Sequence, residues 1–250
     1  MKKKFSKPNQ IKASSQGLVL YGRHAVMSAL NNPNRKISKL VCTYENAIEI
    51  RASYPDVNVV TADRKDIDKL VPAEAVHQGY ALFCNPLDNL SIEELCEITS
   101  DMAKCNVLIL DQVADPQNIG AIIRSCAAFG SSGVIVQDKN SPQESASMVK
   151  AAAGTYEFMP IVRVTNLARA IEILKKNGFW VVGMDGYAKD TVDKLDKNSK
   201  LAVVMGNEGS GMRRLIEESC DITVRLPISE KVESLNVSTA AAVVLYELSK

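Results

Sequence analysis

Three polar segments at the ends of apolar runs hold the side chains most able to do chemistry. The first is 110–124, LDQVADPQNIGAIIR, in which an apolar run closes on Asp111 and a polar loop with Pro116 leads into a helix. Asn118 stands at the mouth of that helix and Arg124 further along it. Six helical residues turn through about 600°, so the two share a face only if Asn118 lies outside the helical periodicity. Arg124 interrupts the run IGAIIRSCAAFG, where a charge calls for a partner or a ligand. The second segment is 204–212, VMGNEGSGM, a buried run opening into a glycine-rich loop. Glycines let a ligand reach the backbone, and ligands bind at the open ends of parallel strands. The loop has neither G-x-G-x-x-G nor G-K-[ST], and Glu208 disfavours a phosphate and suits a cationic or hydroxyl-bearing ligand. The third is 225–238, RLPISEKVESLNVS, where Ser234 and Asn236 introduce a final apolar helix. Taken singly, the segments also read as a paired arginine behind a capped helix, a tight turn, and a second helix cap.

The elements that must position these residues follow from hydrophobic periodicity. Strands are expected over 18–21, 39–43, 57–60 and 80–84, and helices over 24–31, 45–53 and 64–70. Residues 85–89, with Pro86, read as a linker. Ser91 with Glu94 at the capping-box spacing starts a helix expected to reach about 103. A second unit begins near 106. It has strands expected over 107–110, 134–136, 158–162, 180–182, 201–205 and 222–226, and helices over 118–129, 143–152, 167–176, 212–219 and 237–248. Alternation of this kind predicts an α/β fold with a mostly parallel sheet covered on both faces. The expected division is a disordered basic tail over 1–17, a small α/β domain over 18–85, a linker and helix over 86–104, and a larger domain over 105–250.

Composition narrows the function classes. The 24% of charged residues balance to a net charge of +1, so any nucleic-acid surface must be local. The tail holds Lys2, Lys3, Lys4, Lys7 and Lys12 and no acid, as a phosphate-attracting segment or a solubilising end would. No apolar run is long enough to span a bilayer, and no apolar stretch follows MKKKFSKPNQIK, so a cytoplasmic protein without membrane contact is expected. The six cysteines form no C-x-x-C pair and there are two histidines, His24 and His77, so no metal is expected and the thiols are expected reduced and buried. No dinucleotide fingerprint follows 107–110, which argues against a nucleotide-dependent oxidoreductase.

Together the three segments resemble the signature motifs of the SpoU, or TrmH-type, branch of the SPOUT superfamily of RNA 2′-O-ribose methyltransferases. They are Asn118-x-Gly120-x-x-x-Arg124; Gly206-Asn207-Glu208-Gly209-Ser210-Gly211-Met212; and Pro227-Ile228 with Ser234-Leu235-Asn236-Val237-Ser238. Tyr21-Gly22-Arg23-His24-Ala25-Val26 and His77-Gln78-Gly79 extend the likeness to the first unit. There the chain is similar to bacterial enzymes that methylate a guanosine ribose in large-subunit ribosomal RNA.

The resemblance implies a deep trefoil knot in the second domain, an RNA-binding first domain like ribosomal protein L30e, and a homodimer. An unknotted doubly wound sheet is the alternative from periodicity alone. It also implies S-adenosylmethionine as methyl donor, held by Met205, Gly206, Asn207, Leu226, Ile228 and Leu235, with Leu226 and Leu235 against the adenine. Arg124 would stand closest to the chemistry, Asn118 would orient it or the ribose, and Glu208, Ser234 and Asn236 would complete the polar site. The family proposal makes Arg124 the general base. A guanidinium is effectively never deprotonated in proteins, so charge stabilisation and phosphate clamping are the physically easier roles. The expected RNA is ribosomal; transfer RNA, or a non-catalytic RNA-binding or ribosome-assembly role on the same fold, are the alternatives.

Overall fold

The computed structural model describes residues 17–229 and 231–250. The basic tail expected over 1–17 therefore lies outside the described residues, apart from Gly17.

The first unit runs β1 (Leu18–Tyr21), α1 (Arg23–Asn31), β2 (Ile37–Cys42), α2 (Tyr44–Ser53), β3 (Val59–Thr61), α3 (Arg64–Asp68) and β4 (Tyr80–Cys84). Its sheet has the order β1-β4-β2-β3, with β4 antiparallel to β1 and β2, and β2 parallel to β3. YALFC of β4 is buried at every position because it is flanked by strands on both sides. After α4 (Ile92–Ile98), the second unit runs β5 (Cys105–Leu110), α5 (Pro116–Ala128), β6 (Gly133–Gln137), α6 (Ala146–Ala151), β7 (Ile161–Val164), α7 (Leu167–Lys176), β8 (Phe179–Met184), β9 (Asp190–Thr191), β10 (Lys200–Met205), α8 (Arg214–Glu218), β11 (Ile222–Arg225) and α9 (Val237–Ser249).

The second sheet has the order β7-β6-β5-β10-β8-β11-β9, and every pairing in it is parallel. Covered parallel strands need apolar residues on both faces, which is why CNVLIL and GVIVQ are buried throughout rather than alternately. Each fully buried Leu, Ile or Val contributes roughly 1.5–3 kcal/mol relative to an exposed one. One face packs Ile92, Leu95, Leu167, Ile171, Leu174 and Ile216 from α4, α7 and α8. The other packs Ile122, Val149 and Leu245 from α5, α6 and α9, and the same apolar cluster continues into the first unit through Leu20, Val26 and Leu82.

A buried ionic cluster joins the two units beside that shared core. Arg35 Nη2 meets Glu157 Oε1 at 2.6 Å and Arg35 Nη1 meets Glu144 Oε1 at 2.7 Å, with all three side chains essentially out of solvent. Nη1 also donates to the Asn85 carbonyl, and Glu144 Oε2 accepts from the Leu87 amide, so the connecting segment is tied to both. Burial alone would lower the Arg35 pKa, but the two carboxylates outweigh it and hold the guanidinium above its ordinary value.

Several boundaries differ from the sequence reading for local reasons. The helix expected from 118 starts at Pro116, because Asp115 caps it by accepting from the Gln117 amide at 2.9 Å and proline suits the first helical position. The helix expected to reach 103 stops at Ile98, with Thr99 Oγ1 donating back to the Leu95 carbonyl, although its Ser91–Glu94 capping box forms. The helix expected from 143 begins at Ala146 behind a Ser145 cap. The edge strand Asp190–Thr191 was not foreseen, since two half-buried residues carry no periodic pattern.

Five of the six thiols are buried and none is paired; burial pushes Cys84 and Cys126 up to about 12 and Cys220 to about 11, so they stay protonated. Among the described residues no group of three or more His, Cys, Asp or Glu could hold a metal ion, and no helix is long and apolar enough to cross a membrane.

Candidate active site

In sequence β5 precedes β10 by some ninety residues, yet the two lie side by side, with Leu110 opposite Met205. From β5 the chain runs first outward through β6 and β7 and then back to the other side for β8–β11. A reversal of this kind leaves a crevice outside the carboxyl ends of the central strands. The segments that follow β5 and β10 open there.

The loop after β10 is a tight hairpin. The Asn207 amide donates to the Gly211 carbonyl at 3.0 Å, and the Gly211 amide returns the bond at 2.9 Å. Gly211 has φ +67°, and a Cβ on Gly206 would stand 2.3 Å from the Gly211 carbonyl carbon and 2.4 Å from the Met212 nitrogen. No side chain fits at Gly206, because the hairpin's own return at Gly211 and Met212 occupies the space a Cβ would take. Asn207 Nδ2 donates to the Gln112 carbonyl at 3.0 Å, which fastens the hairpin to the loop after β5.

A second tie was not foreseen. Asp111 is wholly buried, and its carboxylate accepts from the Arg213 amide at 2.9 Å and from Arg213 Nε at 2.8 Å. Arg213 Nη2 continues to Gln137 Oε1 at 3.0 Å, joining the ends of β5, β6 and β10. The signal was present in the sequence, since an acid closing a wholly apolar strand needs a cation.

Asn236 gathers the polar residues. Its Oδ1 accepts from the Ser238 amide at 2.9 Å and from the Thr239 amide, capping α9. Its Nδ2 donates to Asn118 Oδ1 at 3.1 Å and to Glu208 Oε2 at 3.3 Å. One amide therefore joins the first turn of α5, the hairpin and the last helix, so Asn236 caps α9 and holds the polar cluster together.

The other expected site residues are placed as follows. Arg124 is exposed on the outer face of α5, whose Ile119, Ile122, Ile123 and Cys126 face the core. Of the partner or ligand that a charge in that run calls for, the described residues supply no partner: no hydrogen bond or ion pair among them holds its guanidinium, because the apolar run is amphipathic and Arg124 occupies its wet side. Asn118 lies inside the helical periodicity, contrary to the expectation that it stands free of it. Gly120 serves packing, for a Cβ there would stand 2.3 Å from the Met148 carbonyl oxygen on α6. Ser234 is exposed and its hydroxyl has no partner among the described residues. Met205 is buried, Gly206, Asn207, Leu226 and Leu235 are half-buried, and Ile228 is exposed. His77 accepts from the Gly79 amide at 3.0 Å and pairs with Asp68 at 2.9 Å, so it braces the turn before β4.

A family model described as the SpoU rRNA Methylase family matches residues 106–246, and one described as RNA 2′-O ribose methyltransferase substrate binding matches residues 19–90. The chain belongs to the SpoU family. It is thus an RNA 2′-O-methyltransferase of the SpoU/TrmH type, with both units accounted for. The 23S rRNA (guanosine-2′-O-)-methyltransferase RlmB of Pseudomonas putida is 39% identical over 238 residues, covering 91% of this chain and 94% of that protein. The TrmH-family protein YacO of Bacillus subtilis is 34% identical, covering 94% of this chain and 96% of that protein. Among solved structures, the SpoU methyltransferase AviRb from Streptomyces viridochromogenes, in complex with AdoMet, superposes with a TM-score of 0.79 at 21% identity, covering 94% of this chain and 90% of that one. An AdoMet-bound rRNA methyltransferase from Sinorhizobium meliloti gives 0.78 at 23% identity, covering 94% and 87%. These two likenesses show that the fold is shared.

Proposed function

We propose that this SpoU-family enzyme methylates a ribose 2′-hydroxyl of RNA from S-adenosylmethionine, and that its target is a guanosine in large-subunit ribosomal RNA. The observation that carries the reading is the Asn118–Asn236–Glu208 cluster, set beside the glycine-rich hairpin after β10 at the switch point of the sheet. The residues fit the methyl donor. Leu226 and Leu235 offer half-buried apolar surface, and Glu208 supplies negative charge for a cationic ligand. Bound there, S-adenosylmethionine supplies an electrophilic methyl carbon.

The chain's residues do the rest. Asn236 and Asn118 orient the ribose through amide groups already fixed by each other and by the α9 cap. Glu208, the carboxylate of the cluster, takes the proton that the 2′-hydroxyl loses as its oxygen bonds the methyl carbon and the carbon–sulfur bond breaks. Arg124, exposed and unpartnered among the described residues, holds an RNA phosphate and offsets developing negative charge, since a guanidinium does not act as a base. Ser234 adds a hydroxyl at the rim.

The wider arrangement belongs to the same reading. The path through β10, seated between β5 and β8, then over β8 to β11 and back to α9 against α5, supports a deep trefoil knot. Val243 and Tyr246 are exposed on α9, and Tyr246 packs edge-on against Phe129 at the end of α5, which supports a homodimer through that face. The first unit would be the L30e-like RNA-binding domain.

Ribose-methylation mapping across ribosomal and transfer RNA, in cells with and without the gene, tests the proposal. Loss of methylation at one large-subunit guanosine is expected, restored by the wild-type gene and not by Arg124→Ala. Loss at a transfer RNA position moves the target, and an unchanged map together with no S-adenosylmethionine binding by calorimetry would leave a non-catalytic RNA-binding module.

A further inference from the structure

Beside the candidate active site, on the β6 side of the β5 end, lies a cavity of about 520 Å³ lined by Gln112, Ala114, Lys139, Asn140, Ser141, Pro142 and Asn207. None of the motifs accounts for its 139–142 wall. That wall is built rather than loose. Arg163 from β7 donates to the Pro142 carbonyl and stands 3.9 Å from Asp138, bracing both ends of the loop. Asn140 Nδ2 donates to Gln137 Oε1 at 3.2 Å, the same oxygen that accepts from Arg213. The cavity wall is therefore wired to Asp111 and to the hairpin after β10.

Within this braced wall Ser141 is 8% exposed, and its Oγ has no hydrogen-bond partner among the described residues. A buried hydroxyl without a partner costs free energy that a ligand acceptor would restore. Lys139 is exposed on the same wall, and no acid lines the cavity. The donors left over are the Ser141 hydroxyl, the Lys139 ammonium and the second hydrogen of the Asn140 amide, while Asn207 is committed to Gln112 and Gly209. Such a set matches an anionic oxygen, and the volume lies within the range of small-ligand sites.

We propose that this cavity is a substrate subsite, in which Ser141 and Lys139 hold the phosphodiester of a nucleotide flanking the methylated ribose. The inference rests on the RNA-methylating reading above. The cavity is lined by Gln112 and Ala114 of the loop that leads into α5, and by Asn207, the neighbour of Glu208, so it adjoins the segments that carry the cluster. The same donors would suit the carboxylate of the methyl donor, so the two sources of the anion must be separated.

The test uses the full chain, a transcript of large-subunit ribosomal RNA, and the variants Ser141→Ala and Lys139→Gln. Ser141→Ala is expected to weaken RNA binding about tenfold with an unchanged or slightly raised Tm, because the hydroxyl it removes bonds nothing in the free protein. Lys139→Gln is expected to lower the slope of log K against log salt by about 1. Calorimetry should find S-adenosylmethionine affinity unchanged in both. Unaltered RNA affinity and salt slope in both variants would overturn the subsite, as would a loss confined to S-adenosylmethionine binding, which would reassign the anion. Methyl transfer by the wild-type chain is read separately. Its presence with unaltered variants sinks the subsite alone, whereas a wild-type chain that neither binds nor methylates RNA sinks both proposals.

Discussion

At the scale of single residues, Asn236 does two jobs with opposite ends of one amide. The oxygen caps α9 and the nitrogen binds Asn118 and Glu208. Asn236→Asp keeps the capping oxygen, which an Asp supplies as well as an Asn, but removes both donations and sets a carboxylate against Glu208. The expected result is a Tm change of no more than a few degrees and a methyl-transfer rate lowered at least tenfold, the scale of losing charge-assisted hydrogen bonds. Thermal denaturation paired with single-turnover transfer measures both. A variant that transfers normally would show that the cluster is a cap and nothing more.

At the scale of elements, two glycines in the matching motifs differ in purpose. Gly206 lets the half-exposed hairpin after β10 close on its own backbone, whereas Gly120 lets α5 and α6 touch in the core. Gly206→Ala forces a methyl group against the Gly211–Met212 backbone, so it is expected to distort the hairpin and to weaken S-adenosylmethionine binding more than tenfold by calorimetry. Gly120→Ala forces a methyl group against the Met148 carbonyl, and overpacking of this kind costs about 1–3 kcal/mol. It should therefore lower the Tm by roughly 2–4 °C per kcal/mol, with donor affinity retained in the folded fraction. Equal loss of donor binding in the two variants would contradict this division.

At the scale of the whole molecule, Arg35 is the buried charged link between the first unit and the second, beside the Asn32 amide that also donates to Glu157. Removing one partner of a buried ion pair costs about 3–5 kcal/mol, so Arg35→Ala should lower stability by that order and expose the 85–90 segment to proteolysis. The pH dependence follows from Glu144. Burial holds its carboxyl above the ordinary value, and Arg35 only partly offsets this. A raised folded pKa gives stability that is fully present below the unfolded value and lost as pH rises through the folded one. Without Arg35 the offset is gone, so the penalty of Arg35→Ala should be largest at neutral pH and shrink towards about pH 4, where carboxyls protonate. Urea titrations of both proteins across that range check the sign. A penalty independent of pH would show that the cost is lost packing around the stem.

The sequence by itself determined the α/β alternation and the two runs of elements, because covered parallel strands must be apolar throughout and their helices amphipathic. It also gave up Asn118, Glu208 and Asn236 as members of one set, through spacing that resembles a known family. Only the tertiary structure decided that these three meet in a single hydrogen-bonded cluster. Their meeting depends on β10 inserting beside β5, a non-local pairing that no local pattern encodes. The same holds for Asp111 with Arg213 and for Arg35 with Glu144 and Glu157, whose partners lie about a hundred residues away in the chain. Arg124 shows the converse: its place in an apolar run called for either a partner or a ligand, and only the orientation of α5 shows that it faces solvent. The segments 204–212 and 225–238 could be found by type and spacing, but what they build is fixed by which strand ends the fold brings together.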